Sequence, residues 1–142
     1  MKRSVDPALG VLLGILALAP AHRTDAQTLF EVPNAPPAHT ARYAEVTGDE
    51  RIELVAREWH VDGGLLLESR SSTGERHLVR VDPGLETLAW RFEAASPPAA
   101  IEAVRRDDRV VVEGQRADET VGGRVDLADA RWIQSIERSL RD

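Results

Sequence analysis

Short runs of alternating apolar and polar residues fill the chain from Ile52 to Phe92, separated by turn chemistry. The turns lie at Asp62-Gly63-Gly64, Thr73-Gly74 and Asp82-Pro83-Gly84, where glycine and proline supply the backbone angles that tight turns need. An apolar side chain at every second residue is typical of a strand with one buried face. The stretch is therefore predicted to form four antiparallel strands.

The length of the loop at Asp62-Gly63-Gly64 decides which side chains share a face, because a shift of one residue exchanges the faces of a strand. A three-residue loop pairs Trp59 with Leu67 and gathers apolar side chains on one face. A two-residue Asp-Gly loop pairs Trp59 with Leu66 and mixes the faces. We therefore predict the three-residue loop. The resulting apolar face contains Val55, Trp59, Val61, Leu65, Leu67, His77, Val79, Val81, Leu88, Trp90 and Phe92.

Further strands are predicted on both sides of this stretch. Arg42 to Thr47 forms a first edge strand, and Ile101 to Arg105 with Arg109 to Gly114 forms another hairpin. A last weak strand runs from Glu119 to Val125, where Gly122-Gly123 indicates a bulge or a turn. The fold class is mainly β: a single twisted antiparallel sheet, or a partial barrel, of six or seven strands.

Near the end of the chain, the spacing of apolar residues changes from every second residue to the spacing of a helix. Asp129 is a suitable N-cap, and Trp132, Ile133, Ile136 and Leu140 recur at helical spacing. Residues 129–140 are predicted to form an amphipathic helix on the apolar face of the sheet. The alternative is that this helix binds a partner chain or a lipid surface.

Residues 1–26 have the features of a secretory signal peptide. Lys2 and Arg3 precede an apolar run, and small residues allow cleavage after Ala21 or Ala26. A membrane span needs about 20 apolar residues, which favours a cleaved signal, with no stable span afterwards, over a retained anchor. The protein is therefore predicted to be periplasmic or extracellular.

A proline-rich linker is predicted over residues 27–41, followed by a β-rich domain over residues 42–142. Pro33, Pro36 and Pro37 cannot donate to a strand ladder. The apolar side chains of Leu29 and Phe30 either dock on the domain or stay exposed, and the sequence leaves both open.

The composition limits the classes of partner that the protein is expected to bind. The 142 residues contain no cysteine, so neither a disulfide nor thiol chemistry is available. The formal net charge of −6 argues against nucleic acid and anionic membrane surfaces. The partners that remain are a hydrophobic small molecule or another envelope protein.

The polar residues form no strong catalytic or metal-binding pattern. His60 and His77 are predicted on opposite faces, so neither a metal site nor a cofactor is expected. Ser71, His77 and Asp82 are the only set that suggests a hydrolase, and no nucleophile elbow accompanies them.

A carboxylate pair is the remaining catalytic candidate. In the predicted register Glu58 and Glu68 face each other across the hairpin, and arginines nearby favour ordinary charge pairing over acid and base chemistry. No catalytic residue is predicted.

The expected function is binding without catalysis. The candidate ligand-binding residues are the large rings assigned to the apolar face and the helix, namely Trp59, Trp90, Phe92 and Trp132. The alternative is an esterase-like hydrolase that uses serine and histidine.

Three segments resemble a group of exported bacterial proteins rich in antiparallel strands. They are Asp82 to Trp90, Val112-Glu113-Gly114, and Trp132 to Ser135 with Ser139-Leu140. The resemblance covers about Arg51 to Leu140 and consists of turn and core positions. In that group, the segment that resembles Trp132 to Leu140 is followed by more strands that complete a curved sheet or barrel. The resemblance implies no site residue.

Overall fold

A single antiparallel sheet of eight strands forms the body of the protein, in a computed structural model that describes residues 28–134. Each strand pairs with its neighbours in chain order, and β1 and β8 are the two free edges. The strands are β1 (His39–Thr47), β2 (Glu50–Val61), β3 (Gly64–Ser71), β4 (Arg76–Val81), β5 (Thr87–Ala95), β6 (Pro98–Arg106), β7 (Arg109–Arg116) and β8 (Glu119–Asp126). The predicted mainly β antiparallel sheet is confirmed, as an open sheet with more strands than six or seven.

The strand count differs at the weakly patterned ends of the chain. Glu119–Asp126 pairs with β7 without a register shift, so Gly122 and Gly123 lie in a regular strand with no bulge or turn. Pro98 is the first residue of β6, a position where the missing N–H of proline is tolerated. The weak last strand predicted from Glu119 is therefore present, and β6 begins three residues before the predicted Ile101.

The loop between β2 and β3 has two residues, Asp62 and Gly63, so the predicted three-residue loop is wrong. Gly63 has a φ of 72° and supplies the left-handed turn position, while Gly64 already pairs with Val61. A Cβ at Gly64 would overlap the carbonyl oxygen of Val81, so only glycine fits where β3 passes the end of β4. The register pairs Trp59 with Leu66.

This register gives the sheet two faces of different composition. The covered face contains the row of cross-strand neighbours Trp59, Leu66, Arg80, Ala89 and Val104. The aromatic face contains the row Leu67, Val79, Trp90, Ala103 and Val112. Trp59 and Trp90, predicted to lie together, are therefore on opposite faces.

The segment before β1 lies on the covered face. Phe30 is only 4% exposed and joins Leu66, Leu78, Ala89 and Val104 in one core cluster, against which Leu29 and Val32 also pack. The indole Nε1 of Trp59 donates to the carbonyl oxygen of Ala35 at 3.0 Å. Docking is thus the observed outcome for this proline-rich segment, and β1 begins at His39, inside the predicted linker.

The segment after β8 runs along one end of the sheet without forming a helix. The Leu127 N–H donates to the Asp108 carbonyl at 2.6 Å, and the Thr87 N–H donates to the Trp132 carbonyl at 2.9 Å. The Gln134 N–H also donates to Thr87 Oγ1 at 2.7 Å, so the Trp132 carbonyl and the Gln134 N–H are not available for the bonds of a helix. The helix predicted over residues 129–140 is absent from 129–134, and its remainder lies outside the described residues.

Replacing Gly64 by alanine should strongly destabilise the fold. The new Cβ meets the backbone of Val81, and the φ of 140° is unfavourable for any L side chain. We expect a loss of about 2 to 4 kcal/mol in the free energy of unfolding, measured by urea denaturation. The control is Gly123→Ala, where nothing lies within 4 Å of the added Cβ and we expect a change within about 0.5 kcal/mol. Equal effects of the two substitutions would contradict this packing.

Candidate functional site

Three rings form a cluster at the centre of the aromatic face. His77 on β4 is the cross-strand partner of Phe92 on β5, and their ring centroids are 4.9 Å apart. Trp90, two residues before Phe92, lies 6.3 Å from it in a stacked arrangement with an interplanar angle of 14°. All three side chains are half-buried, so the cluster is packed at its base and open at its outer surface.

The histidine of this cluster is neutral. Burial lowers the pKa of His77 below its ordinary value, and the charge of Glu75 opposes only part of that effect. The indole Nε1 of Trp90 donates to His77 Nδ1 at 3.3 Å, which requires that nitrogen to carry a lone pair. The cluster therefore adds no charge to the aromatic face near pH 7.

Apolar side chains extend the cluster into a strip across the sheet. Val79 and Ala103, on either side of Trp90, are 0% and 3% exposed, while Leu67 and Val112 further out are half-buried. The row crosses five strands, from β3 to β7, which corresponds to roughly 19 Å at the usual strand spacing. This aromatic strip is a contiguous apolar surface, and contiguous apolar surface is typical of sites that bind apolar molecules or protein partners.

The structure places only two of the four predicted ligand-binding rings in this strip. Trp90 and Phe92 belong to it. Trp59 is 6% exposed on the covered face and holds the segment before β1. Trp132 is half-buried in the segment after β8, where its carbonyl accepts from Thr87.

The serine, histidine and aspartate of the hydrolase alternative do not come together. The Ser71 hydroxyl lies 2.6 Å from Thr73 Oγ1 and accepts from the Glu75 N–H. Asp82 accepts from the Glu86 N–H. Asp82 is five residues after His77 along an extended chain, which places it roughly 16 Å from His77. His77 Nδ1 accepts from Trp90, so among residues 28–134 no base contacts Ser71 and no acid orients His77.

His60 and His77 are also far apart, although they do not lie on opposite faces as predicted. His60 and His77 are on the same face, because His60 is opposite Leu65 and His77 is opposite Ser69, so the predicted opposite placement is wrong. One strand, β3, lies between them, and His77 is four residues along β4 from Val81, which lies in the row of His60 and Leu65. In residues 28–134, no group of three or more acidic or histidine side chains is arranged to hold a metal ion.

Glu68 occupies a site that the sequence did not identify. It lies opposite Arg57, so the predicted Glu58 and Glu68 pair is wrong, and it is 1% exposed on the covered face. Its Oε1 accepts from Arg57 Nη1 at 3.0 Å, and its Oε2 accepts from Arg76 Nε at 2.8 Å. Arg70 Nη2 is a further 3.1 Å from Oε2.

Burial and the neighbouring arginines have opposite effects on the pKa of Glu68. Burial alone would raise the pKa of Glu68, but the hydrogen bond from Arg76 and the nearby charge of Arg70 outweigh it, and the net pKa is lowered. The arginines reach water to different extents, with Arg76 25% and Arg70 53% exposed at the side chain. The network is therefore a structural ion cluster, and the correct loop length would have revealed the Arg57 and Glu68 pair from sequence.

Comparisons with family models, curated proteins and solved structures gave no match to this chain. The resemblance to exported β-rich proteins stays a prediction. Within the described part of the chain, no helix is both long and apolar enough to cross a membrane.

Removing the charge of Glu68 should destabilise the protein and flatten its response to acid. Glu68→Gln leaves clustered arginines without their counter-charge, and we expect a loss of about 2 to 4 kcal/mol at pH 7 by urea denaturation. The lowered pKa means that this contribution is present above the ordinary value of 4.5 and is lost as the pH falls through the folded pKa. The two proteins should therefore converge in stability in acid.

The matched control is Glu53→Gln. Glu53 pairs with Arg51 at 3.4 Å, and both side chains are about 65% exposed, so we expect a change within about 0.5 kcal/mol. A constant difference between wild type and Glu68→Gln at all pH values would contradict an electrostatic role.

Proposed function

We propose that the protein is an exported, non-catalytic domain that binds an apolar ligand, or the apolar surface of an envelope protein, through its aromatic strip. The observation that carries this proposal is the contrast between the faces. Residues 28–38 cover Leu66 and Leu78 on one face, whereas Trp90 and Phe92 remain half-exposed on the other. Contiguous apolar surface of this kind is typical of a binding surface.

The chemistry of the strip indicates the class of ligand. His77 is neutral, and the row Leu67, Val79, Trp90 and Ala103 contains no charged side chain. A charged group would lose hydration there without gaining a partner. The ligand is therefore expected to present a neutral apolar surface, such as an alkyl chain or an aromatic ring.

The hydrolase alternative receives no support from the arrangement of Ser71, His77 and Asp82. Trp90 donates a hydrogen bond to His77 Nδ1, the nitrogen that would act as the base, so this nitrogen is already occupied.

Binding can be tested with N-phenyl-1-naphthylamine, an uncharged fluorescent probe. Its emission should rise on addition of the protein, and dodecanol should displace it. Phe92→Ser removes most of the apolar contact area of one ring, so we expect binding to weaken by about tenfold or more. The measurement is a fluorescence titration of both proteins, with circular dichroism to verify that the variant is folded.

The control is Tyr43→Ser, which removes a 46% exposed ring from β1, away from the strip. Binding by this variant should equal that of the wild type. No rise in emission with the wild type, or equal weakening by the two substitutions, would refute the proposal.

Export is a separate part of the proposal and has its own test. In a Gram-negative host the protein is expected in the periplasmic fraction, with His22 or Gln27 as its first residue after cleavage. Amino-terminal sequencing of the fractionated protein measures this. Recovery from the cytoplasm with Met1 retained would contradict it.

A further inference from the structure

A groove of about 320 Å³ lies on the covered face, where the segment before β1 passes the β2–β3 hairpin. Its apolar walls come from both elements: Leu29 and Val32 from the segment, and Val61 and Leu66 from the sheet. This volume is at the lower end of the range of small-molecule sites, which is roughly 300 to 1,000 Å³. The groove is on the opposite side of the sheet from the aromatic strip.

Arg80 brings a positive charge into this groove. Its Nη2 donates to the carbonyl oxygen of Asp62, but its Nη1 is buried and has no hydrogen-bond partner among the described residues. Burial lowers the pKa of Arg80, and the charge of Asp62 opposes part of that shift, so the guanidinium is partly desolvated.

The other arginines around the covered face are paired differently. Arg57 and Arg76 contact Glu68, and Arg91 contacts Glu102 at 2.5 Å. Arg80 makes no salt bridge of this kind within residues 28–134. A buried donor with no acceptor is costly, and an oxygen that accepts from it recovers that cost.

We propose that this groove binds the carboxylate of a small amphipathic acid, with the carboxylate on Arg80 and the alkyl chain against Leu29, Val32, Val61 and Leu66. Nη1 is buried, so the Arg80 side chain must turn toward the groove for the carboxylate to reach it. The carboxylate then supplies the missing acceptor and the opposite charge, and charge-assisted hydrogen bonds to arginine are among the strongest in proteins.

Two acidic side chains limit the head group further. Glu31 and Asp62 also line the groove, and both are exposed, so water screens their charges. They still disfavour a second negative charge next to Arg80. A singly charged carboxylate is therefore expected to bind more tightly than a phosphate with the same chain.

Octanoate is the probe for this site, followed by NMR of methyl groups in the full chain. Shifts should concentrate on Leu29, Val32, Val61 and Leu66, and should leave unchanged the methyls of Leu67 and Val79 on the aromatic strip. Octyl phosphate should bind more weakly, and octylammonium should not shift these methyls. Arg80→Gln should weaken octanoate binding by about tenfold or more.

The matched control is Arg124→Gln, an exposed arginine on β8 that carries the same charge change and should alter affinity less than twofold. Wild-type affinity in a folded Arg80→Gln variant would overturn the proposal. If that variant does not fold, the wild-type comparison decides: equal shifts with octanoate and octylammonium overturn it.

The test must also detect whether another part of the same chain occupies the groove. Nuclear Overhauser contacts between the groove methyls and residues before Thr28, in protein without octanoate, would overturn the proposal. Because the groove and the aromatic strip are on opposite faces, failure of octanoate binding leaves the probe test of the strip unaffected, and the reverse also holds.

Discussion

The packing of Phe30 on the covered face is the contact on which the rest of the fold depends. A single sheet has two faces, and a stable domain needs a second layer on at least one of them. In the described part of the protein, the segment with Phe30 is that layer over Leu66 and Leu78. Burying a side chain of this size stabilises a protein by about 1.5 to 3 kcal/mol, and the bond from Trp59 to Ala35 fixes the path of the segment. This contact therefore decides which face is inside.

The ion cluster of Glu68 lies on the same covered face and restricts the register. A buried carboxylate is costly unless several donors surround it, and here Arg57, Arg70 and Arg76 do so while keeping part of their length in water. A slip of one residue in β3 would move Glu68 to the aromatic face, away from these partners. The cluster consequently contributes specificity to strand pairing, in addition to its net effect on stability.

The alternation of side chains was sufficient to predict an antiparallel β protein and to place Trp90 and Phe92 on one face. The prediction of the β2–β3 loop from this alternation was wrong because it rested on a sheet with one apolar and one polar face. The covered face combines Trp59 with Arg57 and Glu68, so the rejected two-residue loop is the one that forms. The segments around the sheet could not be predicted from periodicity, since their positions depend on contacts between residues distant in sequence, such as Phe30 with Val104.

The two proposed binding surfaces suit different ligands because one presents a neutral histidine and the other a charged arginine. On the aromatic face, His77 gives up its charge and accepts a bond from Trp90, so the strip offers only dispersion and hydrophobic contact. On the covered face, Arg80 keeps a donor that no described side chain uses. A neutral apolar molecule gains nothing from Arg80, and an acid loses its hydration on the strip without compensation. Under the two proposals, the same sheet would therefore separate two classes of apolar ligand by head group alone.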